Sequence, residues 1–420
     1  MSEPQTKKAK HGDANEIARA LPKTELHLHL DGSLGLDFMF DRAVARGIEM
    51  PSKPECLHQV LRAGGAPNAD PEARKKVLAA MPGHEPSSNN WLHFDFCNQF
   101  LQSKEELSAA TADLVQREFR EDNAVVIEIR FAPVLHCLEG LSVEEVVAAV
   151  VEGFQRGVHE CTGVDVGQVI IGGVIICAMR TYPAQHGVEM AELAHRWLGK
   201  GVIGWDLAAD EGAHPLEKHL QGLRRAIELQ VPTTVHAGEW GSGPRSDENP
   251  RLFAQPGHHD TLPNIGLAIN EGTWRLGHAL TLFLDRKLLQ RVAQQHVTIE
   301  CCLTSNVKRI EGYHTHPIAT MLRSGCLCAL NSDNRFLSNT TSTLEVLHAV
   351  NDVGLTWDEV KQMLINGARA SFFWCANRCS ESIKQKWLSD FETRINQILL
   401  KHHLVAPTDA KRNDAIKAML

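Results

Sequence analysis

Short apolar runs recur along the chain, each closed by polar or glycine residues, and longer amphipathic stretches separate them. Eight runs have strand character: residues 24–30, 124–131, 168–178, 201–207, 233–236, 275–278, 297–302 and 326–331. Between them, residues 143–157, 215–230 and 284–295 repeat their apolar positions at helical spacing. Strands alternating with helices imply parallel pairing. Eight such units imply a closed (β/α)8 barrel of the TIM type, an α/β fold. Residues 1–20 read as a polar, helix-prone N-terminal arm and residues 21–403 as one barrel domain with extra N-terminal and C-terminal helices. Residues 357–403 form its largely helical end, and 404–420 a tail. Two segments break the rhythm, near 62–101 and 240–264. Both are expected to leave strand ends as long excursions, which in compact domains often serve as lids.

The first run holds the most unusual pattern. His27 and His29 are separated by Leu28 and followed by Asp31-Gly32. In a strand, side chains alternate faces with period two. Both imidazoles therefore share one face and Leu26, Leu28 and Leu30 the other. Two imidazoles at a strand end closed by a Gly turn are placed to grip a metal ion.

The chain has 420 residues, 43% hydrophobic and 22% charged, enough for a substantial core. A net charge of -8 argues against a broad electrostatic grip on nucleic acid. No run approaches the roughly 18 apolar residues of a membrane span, and the first residues lack the apolar core of a signal peptide. The 11 cysteines are odd in number and scattered, several within apolar runs. Buried free thiols in a reducing cytoplasm are expected, not a disulfide framework. His314 and His316 repeat the H-x-H spacing without a strand end and read as structural or rim residues.

Unusual polar residues gather where the runs end: His236-Ala237-Gly238-Glu239, Gly277-His278-Ala279, Thr304-Ser305-Asn306 and Asn331-Ser332-Asp333-Asn334. Active sites of such barrels lie at the C-terminal ends of several strands. Imidazoles with a carboxylate suit Zn²⁺, which activates water at neutral pH. A nearby carboxylic acid can deliver a proton to a substrate nitrogen. Such a set hydrolyses a C–N bond at an electrophilic carbon. Amides, amidines and aminopurines all fit that chemistry.

Five ordered motifs narrow the choice. Pro22-Lys23-Thr24-Glu25-Leu26-His27-Leu28-His29-Leu30-Asp31-Gly32-Ser33 resembles the opening motif of the adenosine deaminase family of the amidohydrolase superfamily. Asp206-Leu207-Ala208-Ala209-Asp210-Glu211, His236-Ala237-Gly238-Glu239, Arg275-Leu276-Gly277-His278 and Asn331-Ser332-Asp333 resemble its later motifs. The resemblance implies one Zn²⁺ held by His27, His29, His236 and Asp333. It implies Glu239 as the acid that protonates purine N1, and His278 as the group that positions the attacking water. The Ala209 N–H would meet N3, Asp31 would lie near the ribose 5′-hydroxyl, and Asn334 near N7. Phe96 and Phe100 would belong to a helical lid over the purine.

Three departures stand out. Asn334 replaces a second acid, yet its amide can donate to N7 without a carboxyl proton. Ala209 replaces a Gly, and Ala279 another; Ala tolerates fewer backbone angles. The activity implied is hydrolytic deamination of adenosine and 2′-deoxyadenosine, with a small-molecule purine nucleoside as the partner and neither nucleic acid nor membrane expected. Adenine or an N6-substituted AMP would use the same chemistry, and a non-catalytic nucleoside binder is the rival of another class.

Overall fold

The computed structural model describes residues 11–65, 70–81, 91–162, 169–240 and 259–404. Eight strands run in sequence order: β1 (Lys23–His29), β2 (Ala124–Phe131), β3 (Ile171–Met179), β4 (Val202–Ala208), β5 (Thr233–Ala237), β6 (Arg275–His278), β7 (Thr298–Cys301) and β8 (Leu327–Leu330). All neighbours pair in parallel. Each expected run is a strand, with ends displaced by a few residues. Parallel strands covered on both faces read as near-continuous apolar runs, and β2 and β4 are buried at every position.

The seam between β8 and β1 closes through the backbone of Asp333. The His29 N–H donates to the Asp333 carbonyl at 2.8 Å, and the Asp333 N–H donates to the His27 carbonyl at 2.9 Å. One step away, the Leu26 N–H donates to Asn331 Oδ1 at 2.8 Å. The β1–β2 register also shifts between Glu25 and Leu28. Such irregularities often re-aim side chains next to active sites.

Within the strand layer lies an ionic cluster. Arg130 on β2 bridges Asp206 on β4 (2.9 Å) and Glu300 on β7 (2.8 Å). Arg275 on β6 meets Glu300 and Glu128, each at 2.7 Å. All five side chains are buried. Buried charges persist only when paired and hydrogen-bonded, and each of these is.

The helix-prone arm and the excursions also take shape. His11–Ala20 is a helix whose Ala14, Ile17 and Ala18 are buried, so this part of the expected arm packs onto the domain. With Leu21 these positions follow the i, i+3, i+4, i+7 spacing of a core-facing stripe. The 62–101 excursion contributes helices Pro71–Ala79 and Leu92–Asn98. Most of the expected 240–264 excursion, residues 241–258, lies outside the described residues. No described helix is long and apolar enough to cross a membrane, and all 11 cysteines are free.

Candidate active site

Three imidazoles converge at the C-terminal ends of β1 and β5. The ligand atoms of His27, His29 and His236 lie within 4.8 Å of one another, and His29 Nε2 is 3.3 Å from His236 Nε2. Asp333 completes the set, its Oδ1 3.4 Å from His27 Nε2 and 3.5 Å from His29 Nε2. Gly277 makes room for it: a Cβ there would stand 3.0 Å from His27 Cε1.

The far nitrogens are committed elsewhere. His27 Nδ1 is 2.7 Å from Glu300, and His236 Nδ1 is 3.1 Å from Asp206. A carboxylate on Nδ1 keeps the proton there and turns the Nε2 lone pair inward, as behind metal-bound histidines. His27 Nε2 is buried without a hydrogen bond among the described residues. Burial holds His29 well below its ordinary range, so its ring is neutral. At Asp333 the surrounding imidazoles outweigh burial and hold the carboxyl well below its usual range. Neutral His29 and ionised Asp333 stand with two further imidazoles, His236 being raised, against its burial, by the Asp206 carboxylate behind it, and this nitrogen-and-oxygen set is of the kind that fits Zn²⁺. A second grouping of His27, His278 and Cys302 also exists. Burial pushes the Cys302 thiol well up, so it stays protonated and a poor ligand.

Glu239 and His278 flank this set, Glu239 Oε1 lying 3.8 Å from His278 Nε2. The turn after β5 aims Glu239. Gly238 has φ +74°, and a Cβ there would meet Ile265 at 2.5 Å. Glu211 accepts the N–H groups of Gly238 and Glu239 at 2.7 and 2.9 Å and is itself held by Asn264 at 2.8 Å. Arg309 pairs with the Glu239 carboxylate at 2.9 Å and lies 4.2 Å from the Trp240 ring centroid. Burial alone would raise the Glu239 pKa; Arg309 and the nearby imidazoles reverse this and bring it down to about 2. Burial lowers His278 to about 3.

The remaining expected residues divide. Asp31 sits buried in the turn after β1, its carboxylate accepting the Gly32 N–H at 3.0 Å. Burial lifts its pKa to about 7. Ala209 takes φ +80° just beyond β4. Asn334 follows Asp333 with its Oδ1 buried and unpartnered among the described residues. Phe96 and Phe100 are wholly buried and meet edge to face at 5.5 Å within the hydrophobic core. From this segment Trp91 stacks on Trp240, the residue after Glu239, with centroids 6.5 Å apart.

Sequence reasoning assigned no role to Glu300, Glu211, Arg309 or Asn306. A glutamate amid the apolar residues of β7 was one visible signal, since a buried charge demands a partner; Glu211 closes a quoted motif and Asn306 a strand-end polar cluster. Arg309 declares itself only through its partner Glu239.

Fold and site together define a barrel hydrolase of the amidohydrolase kind. The sequence model of the adenosine deaminase family matches residues 22–386, and the chain belongs to that family. It is 31% identical over 358 residues to an adenosine deaminase of Clostridium botulinum (strain Kyoto / Type A2), covering 84% of this chain and 94% of the relative. Two solved structures share the fold. A Zn-bound amidohydrolase from Burkhoderia ambifaria has TM-score 0.71 at 19% identity, covering 94% of this chain and 96% of its own. The N6-methyl-AMP deaminase of Arabidopsis thaliana has TM-score 0.67 at 21% identity, covering 90% and 98%.

Proposed function

We propose that this protein is a zinc-dependent deaminase that hydrolyses adenosine and 2′-deoxyadenosine to inosine and 2′-deoxyinosine, releasing ammonia. The observation that carries the reading is the convergence of His27, His29, His236 and Asp333 beside Glu239 and His278. The first four would hold one Zn²⁺. When bound, the ion supplies Lewis acidity that makes water a nucleophile near neutral pH.

This chain's own groups do the rest. Glu239 carries a proton to purine N1 as water adds at C6. Arg309 keeps its carboxylate ionised in the free protein, so the proton must come from the incoming water, which loses one as it attacks. His278 orients that water. The Ala209 N–H and the Asn334 amide meet N3 and N7, and Asp31 holds the 5′-hydroxyl. Phe96 and Phe100 would support the lid from within the core, with Trp91 stacked on Trp240 beside Glu239. Eleven free cysteines suit a cytoplasmic enzyme.

A second reading, an N6-substituted AMP, draws on Lys308 and Arg309. Lys308 presents exposed surface, yet burial pulls its amine down to about 8, as for a side chain standing in a cleft. Two cations suit a phosphate. They stand beside Glu239, at the base end, whereas a 5′-phosphate would lie beside Asp31, so the nucleoside fits better.

The test is conversion of adenosine to inosine by zinc-replete protein, with and without chelator, against N6-methyl-AMP and adenine. Chelator-sensitive conversion is expected. Glu239→Gln should retain zinc while kcat falls by about 10²- to 10⁴-fold. Unchanged turnover in that variant would remove Glu239 as the acid.

A further inference from the structure

His278 is tied to a chain of hydrogen bonds that runs away from the metal-type donors. Its Nδ1 lies 3.1 Å from Asn306 Nδ2. Asn306 Oδ1 lies 3.4 Å from His316 Nε2. His316 Nδ1 lies 3.2 Å from the backbone N–H of Ile318. All three side chains are buried. The four groups come from β6, the turn after β7, and the start of helix Ile318–Arg323.

The direction of every bond follows from its far end. The N–H of Ile318 can only donate, so His316 Nδ1 is an acceptor. A neutral imidazole with one acceptor nitrogen carries its hydrogen on the other, so His316 Nε2 donates to Asn306. Asn306 must therefore face His316 with its oxygen and His278 with its NH₂ group. That NH₂ donates, so His278 Nδ1 accepts and His278 Nε2 carries the hydrogen. Turning the Asn306 amide over would set two donors against each other at His316. Amide orientation and tautomer are normally fixed only by such a network; here a backbone amide anchors it.

We infer that the Asn306–His316 relay is a positioning device that holds His278 as the Nε2–H tautomer, a hydrogen-bond donor into the reacting centre and not a base. His278 Nε2 is the nitrogen facing Glu239. The neutral ring in this form has no lone pair to offer there. It can point a water lone pair at the substrate and stabilise oxygen as charge builds, but it cannot take the water's proton. That proton is left to the carboxylates. The consequence for catalysis rests on the deaminase reading; the tautomer does not.

The test combines spectroscopy with kinetics on the zinc-loaded enzyme. Long-range ¹H–¹⁵N correlation of ¹⁵N-histidine-labelled protein, assigned with a His278→Ala sample, reports which ring nitrogen bears hydrogen. His278 and His316 should both show hydrogen on Nε2. Asn306→Asp keeps the size but offers only acceptors, so His278 should gain hydrogen on Nδ1. kcat should then fall by about 10²- to 10³-fold, the scale of losing one aligned donor, with KM little changed. His316→Gln, which can both accept from Ile318 and donate to Asn306, should preserve the tautomer and most of the activity. Hydrogen on Nδ1 in the wild type, or an unchanged His278 spectrum in folded Asn306→Asp, overturns the relay whatever the activity. A protein inactive on adenosine that still shows Nε2–H would sink the substrate reading and leave the relay standing.

Discussion

Ala209 has φ +80°, a left-handed conformation that a Cβ disfavours. The sequence marked this place as a glycine turned alanine, and the backbone kept the glycine shape. Such a residue costs about 1–2 kcal/mol. Ala209→Gly should therefore raise unfolding free energy by about 1 kcal/mol, after the entropy that glycine itself loses, as read by denaturant titration. Asn334 makes a different statement. As a neutral donor to N7, it should discriminate against 7-deazaadenosine. Asn334→Ala should lower kcat/KM for adenosine by about 10-fold, the scale of one hydrogen bond, and leave the 7-deaza analogue nearly unaffected. Equal losses on both substrates would show that the amide does not read N7. At this scale the sequence revealed donors whose chemistry is unusual for their setting, such as His27, His29 and Glu239. It hid Arg309, and it showed Glu211 and Asn306 without their roles, which lie in partners on other segments. Whether Phe96 and Phe100 face a ligand or the core could not be read from the sequence, since a buried aromatic looks the same in either place; both are wholly buried.

Strands were more legible than helices. Each barrel strand is a short apolar run ended by glycine or by site residues, so all eight could be placed from the pattern alone. The helical tendency of His11–Ala20 was visible, but its packing onto the domain was not, because its charged face dominates the composition of the segment while three small or aliphatic residues do the packing. What no single strand discloses is the ionic cluster that crosses β2, β4, β6 and β7. Arg130 ties Asp206 to Glu300, and those carboxylates orient His236 and His27. Removing one member leaves buried charge unpaired. Arg130→Met should cost about 3–5 kcal/mol of stability. It should also weaken zinc affinity by about 10- to 100-fold, as losing support behind a ligand typically does. Calorimetry and a competitive zinc titration would check the two effects separately; a stable variant with unaltered affinity would deny the cluster any part in orienting the imidazoles.

Across the whole molecule, the end of the barrel opposite the site has its own titrating group. Lys23 opens β1 with its ammonium buried, donating to the carbonyls of Asp122 at 2.5 Å and Leu21 at 3.0 Å. Burial brings its pKa from 10.5 down to about 7. Between those values the unfolded chain keeps a proton that the folded chain has released. The stability this site contributes therefore rises with pH through the window and is lowest below about 7. Measured against Lys23→Met, the wild type should gain ground steadily from about pH 7 to about pH 10. A constant difference would mean the amine stays charged in the fold.

The closure of the barrel has a consequence for biosynthesis. Leu26 and Asn331, 305 residues apart, are hydrogen-bonded across the seam, and Asp333 fastens it between His27 and His29. A ribosome delivers the two imidazoles of β1 about 300 residues before their carboxylate partner. No prematurely terminated product that stops before β8 can assemble all four donors. The clasp thus makes the donor set depend on β8: products truncated before it would be left without the full set of groups proposed to hold zinc.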